Sequence, residues 1–355
     1  MLKNPLHKNK LELIQALRGL AALLVVMFHT TELNHKNFHQ DFLFNIFAFG
    51  SSGVDFFFVL SGFIIYFIHR FDVGQKNKLK PFLLKRLMRV YPMYWLVTLA
   101  LLPIYFLIPS LGAGYERNVS EIIKSLLLYP QEHFPILIVG WSLRYELIFY
   151  LIFSILIFCK RNFAKPIIGI WLLITVTIWF LDTSNFDLKK YFWITFIFNS
   201  HNIEFAFGCL SAYFVCINII KPKAFLLITG ILLFILFGII YDYNLMHVSN
   251  IIAYGIPSML ILIGAGSLDV SQAVKVPKFF LYLGDASYSI YLIHYPCLSA
   301  LFKFALTVDL AKIIGQFLAI VLMIVITLGI GFISYFYIEK PLVVFLRKKL
   351  VTKPT

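Results

Sequence analysis

The chain has 355 residues, 60% hydrophobic and only 14% charged, with a formal net charge of +14. A soluble domain carries nearer a quarter charged residues, so this balance excludes an ordinary water-soluble fold. It also argues against a nucleic-acid partner, because no basic soluble face is visible and the positive residues sort by loop.

Apolar runs of about 20 residues, the length that crosses a hydrocarbon core, place ten spans along the sequence. They lie near 13–32, 52–69, 91–109, 140–159, 165–181, 194–217, 224–242, 248–267, 282–302 and 314–337. Segments 42–50, 121–129 and 134–139 are apolar but short, as interfacial or re-entrant pieces are. The expected fold is an all-α polytopic helical bundle. It forms one membrane domain over 1–355 with its core at about 11–342, short basic tails and no soluble domain after the last span. The first span is read as retained rather than as a signal peptide, because Arg18 interrupts it and no small-residue cleavage site follows. Cys159, Cys209, Cys216 and Cys297 have no metal-type spacing and read as buried thiols, so no bound metal is expected.

Orientation follows from Lys and Arg. With the N-terminus in the cytoplasm, 23 of the 31 fall on the inner side. Such an excess is the positive-inside signature and puts both termini in the cytoplasm. Paired Gly/Pro-broken segments of the kind found in inverted-repeat transporters do not stand out.

Ionisable groups within spans are expensive and mark functional candidates. In the first span Arg18 and His29 stand 11 residues apart, about 16 Å along a helix and on one face. The plain alternative is that Arg18 snorkels to the interface and His29 ends the span. In this topology Asp55, Glu146 and His294 share the outer layer with His29. A His beside carboxylates suits general-base chemistry, whereas no G-x-S-x-G elbow points to a Ser-His-Asp triad. On the inner side Arg86 and Arg89 lie at i and i+3, on one helix face, and with Arg18 form a possible phosphate clamp. Ordinary positive-inside charge is the competing reading. Ser61-Gly62 reads as small-residue helix packing. Arg144 pairs with Glu146 or reaches lipid headgroups.

These motifs resemble the acyltransferase-three family of membrane O-acyltransferases. The resemblance rests on Leu17-Arg18-Gly19-Leu20-Ala21-Ala22 through His29, on Gly53-Val54-Asp55 through Ser61-Gly62-Phe63, and on Arg86 and Arg89 before Tyr91-Pro92. It continues with Trp141-Ser142-Leu143 and Glu146, Phe149-Tyr150, Gly284-Asp285 through His294, and Ile338-Glu339-Lys340-Pro341. It implies transfer of an acyl group, usually acetyl, from cytoplasmic acetyl-CoA or another acyl-CoA to a hydroxyl of a surface or exported carbohydrate. The acyl-CoA is a donor substrate, with no permanently bound cofactor.

The resemblance also implies that His29 is catalytic and that Arg18, Arg86 and Arg89 bind the donor; from the shared outer layer, Asp55 or Glu146 is expected to orient His29. Trp141, Ser142 and His294 are assigned to substrate binding. The expected partners are acyl-CoA, a carbohydrate or glycolipid acceptor and membrane lipids, in a bacterial inner membrane. The oligomeric state stays open, a homodimer included. The rival reading is a secondary transporter or flippase for an anionic or sugar-linked substrate, which binds through the same buried charges without reacting.

Overall fold

The computed structural model describes residues 11–39, 42–183 and 190–350, all helix, turn or irregular, with no strand among them. The basic residues Lys3, Lys8, Lys10, Lys189 and Lys353, used above for orientation, lie outside the described residues. The α-helices are α1 Glu12–Phe38, α2 Gly53–His69, α3 Leu79–Leu107, α4 Val119–Leu126, α5 Trp141–Phe158, α6 Arg161–Thr183 and α7 Phe192–Ile197. They continue as α8 His201–Ile217, α9 Lys223–Asp242, α10 Ile256–Val270, α11 Lys278–Thr307, α12 Leu310–Ile314, α13 Gln316–Ser334 and α14 Lys340–Leu350. Two π turns, Ile251–Gly255 and Tyr335–Glu339, lead into α10 and α14.

Among the described residues, nine helices are long and apolar enough to cross a membrane. The chain is therefore an all-α polytopic membrane protein, as its composition requires. The expected span 194–217 differs: it is divided at residues 198–200 into α7 and the 17-residue α8. α6 and α9 leave large apolar side chains such as Leu173, Phe180, Phe225 and Leu232 exposed, as lipid-facing helices do.

The described residues group into two compact units. Unit one comprises Met1–Phe71, Ser200–Ser287 and Leu298–Ile326; unit two comprises Asp72–Asn199, Tyr288–Cys297 and Thr327–Thr355.

In unit one, helices meet backbone to backbone. A Cβ on Gly62 would collide with the Phe205 carbonyl, and one on Gly208 with the Val59 carbonyl, so α2 and α8 run side by side. Small residues permit this approach, which drives helix association where lipid supplies no hydrophobic force. Gly62 thus packs helices as its sequence suggests. Gly19 of α1 and Gly284 of α11 make a second such contact. The Asp269 carboxylate accepts from Leu13 N at 2.9 Å and Ile14 N at 3.0 Å, satisfying donors that the first turn of α1 leaves open.

In unit two, three side chains of α3 satisfy the carbonyls at the end of α4. Tyr94 Oη donates to Ser125 O (2.7 Å), Trp95 Nε1 to Leu126 O (2.8 Å) and Tyr91 Oη to Leu127 O (2.9 Å). A helix C-terminus has no partners of its own for these groups, so the aromatic cluster after Arg89 has a structural task.

Candidate functional site

The candidate residues fall in both units, and each set is described within its own.

In unit one, α1 carries Arg18 and His29 as the spacing predicts. Arg18 Nε donates to Ser287 Oγ at 2.8 Å and to Gly284 O at 3.0 Å, and its Nη2 also reaches Gly284 O. The guanidinium thus ties α1 to α11 where Gly19 and Gly284 touch. His29 is 19% exposed, and its Nδ1 lies 2.9 Å from Glu32 Oε2. A carboxylate at Nδ1 fixes the tautomer and leaves Nε2 to take a proton. Glu32 was missed in the sequence because the expected span stopped at residue 32, whereas α1 runs on to Phe38; the i,i+3 spacing from His29 was the available signal.

Asp55 is grouped with His201 and Glu204 of α8. One ligand-type atom from each of the three lies within 4.8 Å of the others. His201 Nδ1 meets Glu204 Oε2 at 2.9 Å, and Phe58 stacks on the imidazole at 4.3 Å between ring centroids. Asp55 and Glu204 are buried. Sequence reasoning singled out neither His201 nor Glu204, although their i,i+3 spacing on an apolar helix was visible.

In unit two, Arg86 and Arg89 of α3 have different surroundings. Arg89 Nη1 donates to Glu339 Oε1 at 2.5 Å, and its guanidinium lies over the Tyr288 ring, 5.1 Å from the centroid. Glu339 is 2% exposed and also accepts from Ser289 Oγ at 2.6 Å. Arg86 instead sits against aromatic rings, 5.7 Å from the Phe82 centroid and 5.8 Å from that of Tyr150. Its Nε is buried without a hydrogen-bond partner among the described residues. Tyr150 Oη in turn donates to Glu146 Oε1 at 2.5 Å.

Of the residues assigned to substrate binding, Ser142 and His294 are buried and Trp141 is half-buried. Ser142 Oγ and Tyr291 Oη are 2.7 Å apart, and both hydroxyls reach Val139 O. His294 is fully buried, with Nδ1 2.7 Å from Tyr291 O; that carbonyl accepts from an Nδ1–H tautomer. Trp141 lies edge-on to Tyr145. Arg144, expected to pair with Glu146 or reach headgroups, instead is buried and binds backbone: its Nη1 donates to Gln131 O (2.8 Å) and its Nη2 to His133 O (3.0 Å), so it fastens the segment that enters α5.

The family model described as "Acyltransferase domain" matches residues 12–336. The chain is similar to the exopolysaccharide production protein ExoZ of Rhizobium meliloti (strain 1021), 27% identical over 89% of this chain and 94% of that protein. It is also 27% identical to the peptidoglycan O-acetyltransferase OatA of Listeria monocytogenes serovar 1/2a (strain ATCC BAA-679 / EGD-e), over 81% of this chain and 49% of that one. No solved structure matches the chain. The motifs gathered on these helices and the match across almost the whole sequence agree: the chain is a membrane-embedded acyltransferase and belongs to the acyltransferase-three family.

Proposed function

We propose that this acyltransferase moves an acyl group, in the first instance acetyl, from cytoplasmic acyl-CoA to a hydroxyl of an exported or cell-surface carbohydrate. The acceptor class is supported by the two relatives, one named for exopolysaccharide production and one for peptidoglycan O-acetylation. The observation that carries the mechanism is the His29–Glu32 contact at 2.9 Å, which leaves Nε2 as the proton acceptor.

In the proposed step His29 Nε2 removes the acceptor's hydroxyl proton while that oxygen attacks the thioester carbonyl carbon. The new C–O bond forms, the C–S bond breaks, and the imidazolium returns its proton to the departing CoA thiolate. Glu32 holds the ring and stabilises the imidazolium. Arg86 is the foremost donor-binding residue: guanidinium suits phosphate, and its Nε has no hydrogen-bond partner among the described residues. The Lys and Arg distribution supports placing Arg18, Arg86 and Arg89 toward the cytoplasm and His29 toward the outer face, and the bacterial sources of both relatives support a bacterial cytoplasmic membrane. With α8 crossing as a tenth span beside the nine long helices among the described residues, a reporter fused after Thr355 is expected to read as cytoplasmic; an extracytoplasmic signal there overturns the ten-span count.

The test of the chemistry is acceptor-dependent CoA release by purified protein. His29→Gln keeps hydrogen bonding but not basicity, and is expected to lower transfer about 10²–10⁴-fold while acyl-CoA still binds. Near-normal transfer by this variant defeats the mechanism.

A further inference from the structure

A second cluster of reactive side chains, outside the proposed acyl-transfer step, lies between α2 and α8 of unit one. Gly62 and Gly208 bring these helices into backbone contact. Seven residues before each stand Asp55 and His201. Seven residues are two helical turns, so both return to the contact stripe. Glu204, at i+3 from His201, completes the group, and the three ligand-type atoms lie within 4.8 Å of one another.

The charge balance of this group is unusual. Asp55 is 4% and Glu204 1% exposed. Neither forms an ion pair with Lys or Arg among the described residues; the partners within reach are the His201 imidazole and the other carboxyl. Two ionised carboxylates without a cation are strongly disfavoured away from water. Two buried hydroxyls add a further observation. Tyr254 is 3% exposed, lies within electrostatic reach of Asp55, and its Oη has no hydrogen-bond partner among the described residues. Ser52, fully buried, stands one turn before Asp55 on the same face, and its Oγ is likewise without a partner. Tyr254 belongs to the π turn Ile251–Gly255, and such turns recur at functional sites.

We propose that Asp55, His201 and Glu204 bind one divalent first-row metal ion, with Tyr254 and Ser52 orienting its remaining ligands. One imidazole nitrogen and two carboxylate oxygens form a ligand set suited to Mn²⁺ or Zn²⁺. The two negative charges balance the ion. Donors around such an ion stand roughly 3–4 Å apart, so from a spread of up to 4.8 Å the side chains need to close by roughly 1–2 Å. Phe58, stacked on His201, fixes the plane of the ring.

The test is metal uptake by the intact protein and does not depend on the acyl-transfer reading. Purified protein in detergent is stripped with chelator, dialysed against Mn²⁺ or Zn²⁺ alone, and its bound metal counted by elemental analysis. The expected result is about one equivalent of one of these ions per chain, with a rise in Tm that chelator reverses. Asp55→Asn and Glu204→Gln, which preserve shape, are expected to lower uptake at least about tenfold. His29→Gln is expected to retain full uptake, which separates failure here from failure of the transfer mechanism. Folded wild-type protein that takes up neither ion overturns the proposal and leaves the carboxyls sharing a proton. Undiminished uptake in the Asp55→Asn/Glu204→Gln double variant overturns it equally, placing the metal elsewhere.

Discussion

Unit one and unit two both bury acidic side chains, and they surround them differently. In unit two, Glu339 receives the Arg89 guanidinium and the Ser289 hydroxyl, so both carboxylate oxygens and the charge are matched by side chains of the chain itself. In unit one, Asp55 and Glu204 share an imidazole and a hydrogen bond with each other, with buried hydroxyls nearby and no Lys or Arg partner among the described residues. A matched pair locks a helix junction and has little capacity for further ligands. An unmatched pair of carboxylates must recruit something, a metal ion or a proton, and is the better place to look for binding.

The contrast is broken most sharply at Arg89. Arg89→Ala leaves Glu339 buried without its cation and is expected to destabilise the protein by about 3 kcal/mol. Adding Glu339→Gln should restore part of that loss, measured by unfolding in micelles. Full stability in the single variant would mean that the pair has no locking role. Arg86, on the same helix, sharpens the point. Arg86→Ala is expected to weaken acyl-CoA binding about tenfold, the worth of one or two charge-assisted hydrogen bonds, with little change in stability. Arg86→Lys should recover only part, because an ammonium lacks the planar fork. Equal CoA affinity in wild type and Arg86→Ala would return this residue to ordinary inner-face charge. The smallest effect is expected at Glu204. In metal-stripped protein Glu204→Gln removes an unmatched charge, and its stability should stay within about 0.5 kcal/mol of wild type or rise. A loss comparable to that of Arg89→Ala would show that the two units treat their carboxylates alike.

The helices were readable in the sequence because hydropathy acts over about 20 residues at a time. The same averaging hid the interruption at residues 198–200, where Asn199 and Ser200 separate α7 from α8. Arg18 and His29 were readable because a shared helix face follows from spacing alone. The partners of Asp55 were not, since His201 and Glu204 lie far along the chain and meet it only through the Gly62–Gly208 contact. Arg144 escaped for a different reason. It binds the backbone carbonyls of Gln131 and His133, and carbonyls leave no mark in a sequence. Arg86 and Arg89 look equivalent at i and i+3, and only the Glu339 contact tells them apart.

The two π turns carry a consequence for how this chain tolerates insertions and deletions. A π turn closes its hydrogen bonds one residue further along than an α turn. Removing a single residue from Ile251–Gly255 or Tyr335–Glu339 would therefore leave a continuous α-helix, with no break for a folding screen to notice. Because the turn has absorbed the extra residue locally, the side chains before and after the deletion would keep their faces. Only the residues of the turn itself, Tyr254 or Glu339 among them, would be re-aimed, while hydropathy and helix content stayed almost unchanged. At these two points the number of residues, more than their identity, determines which side chains face inward.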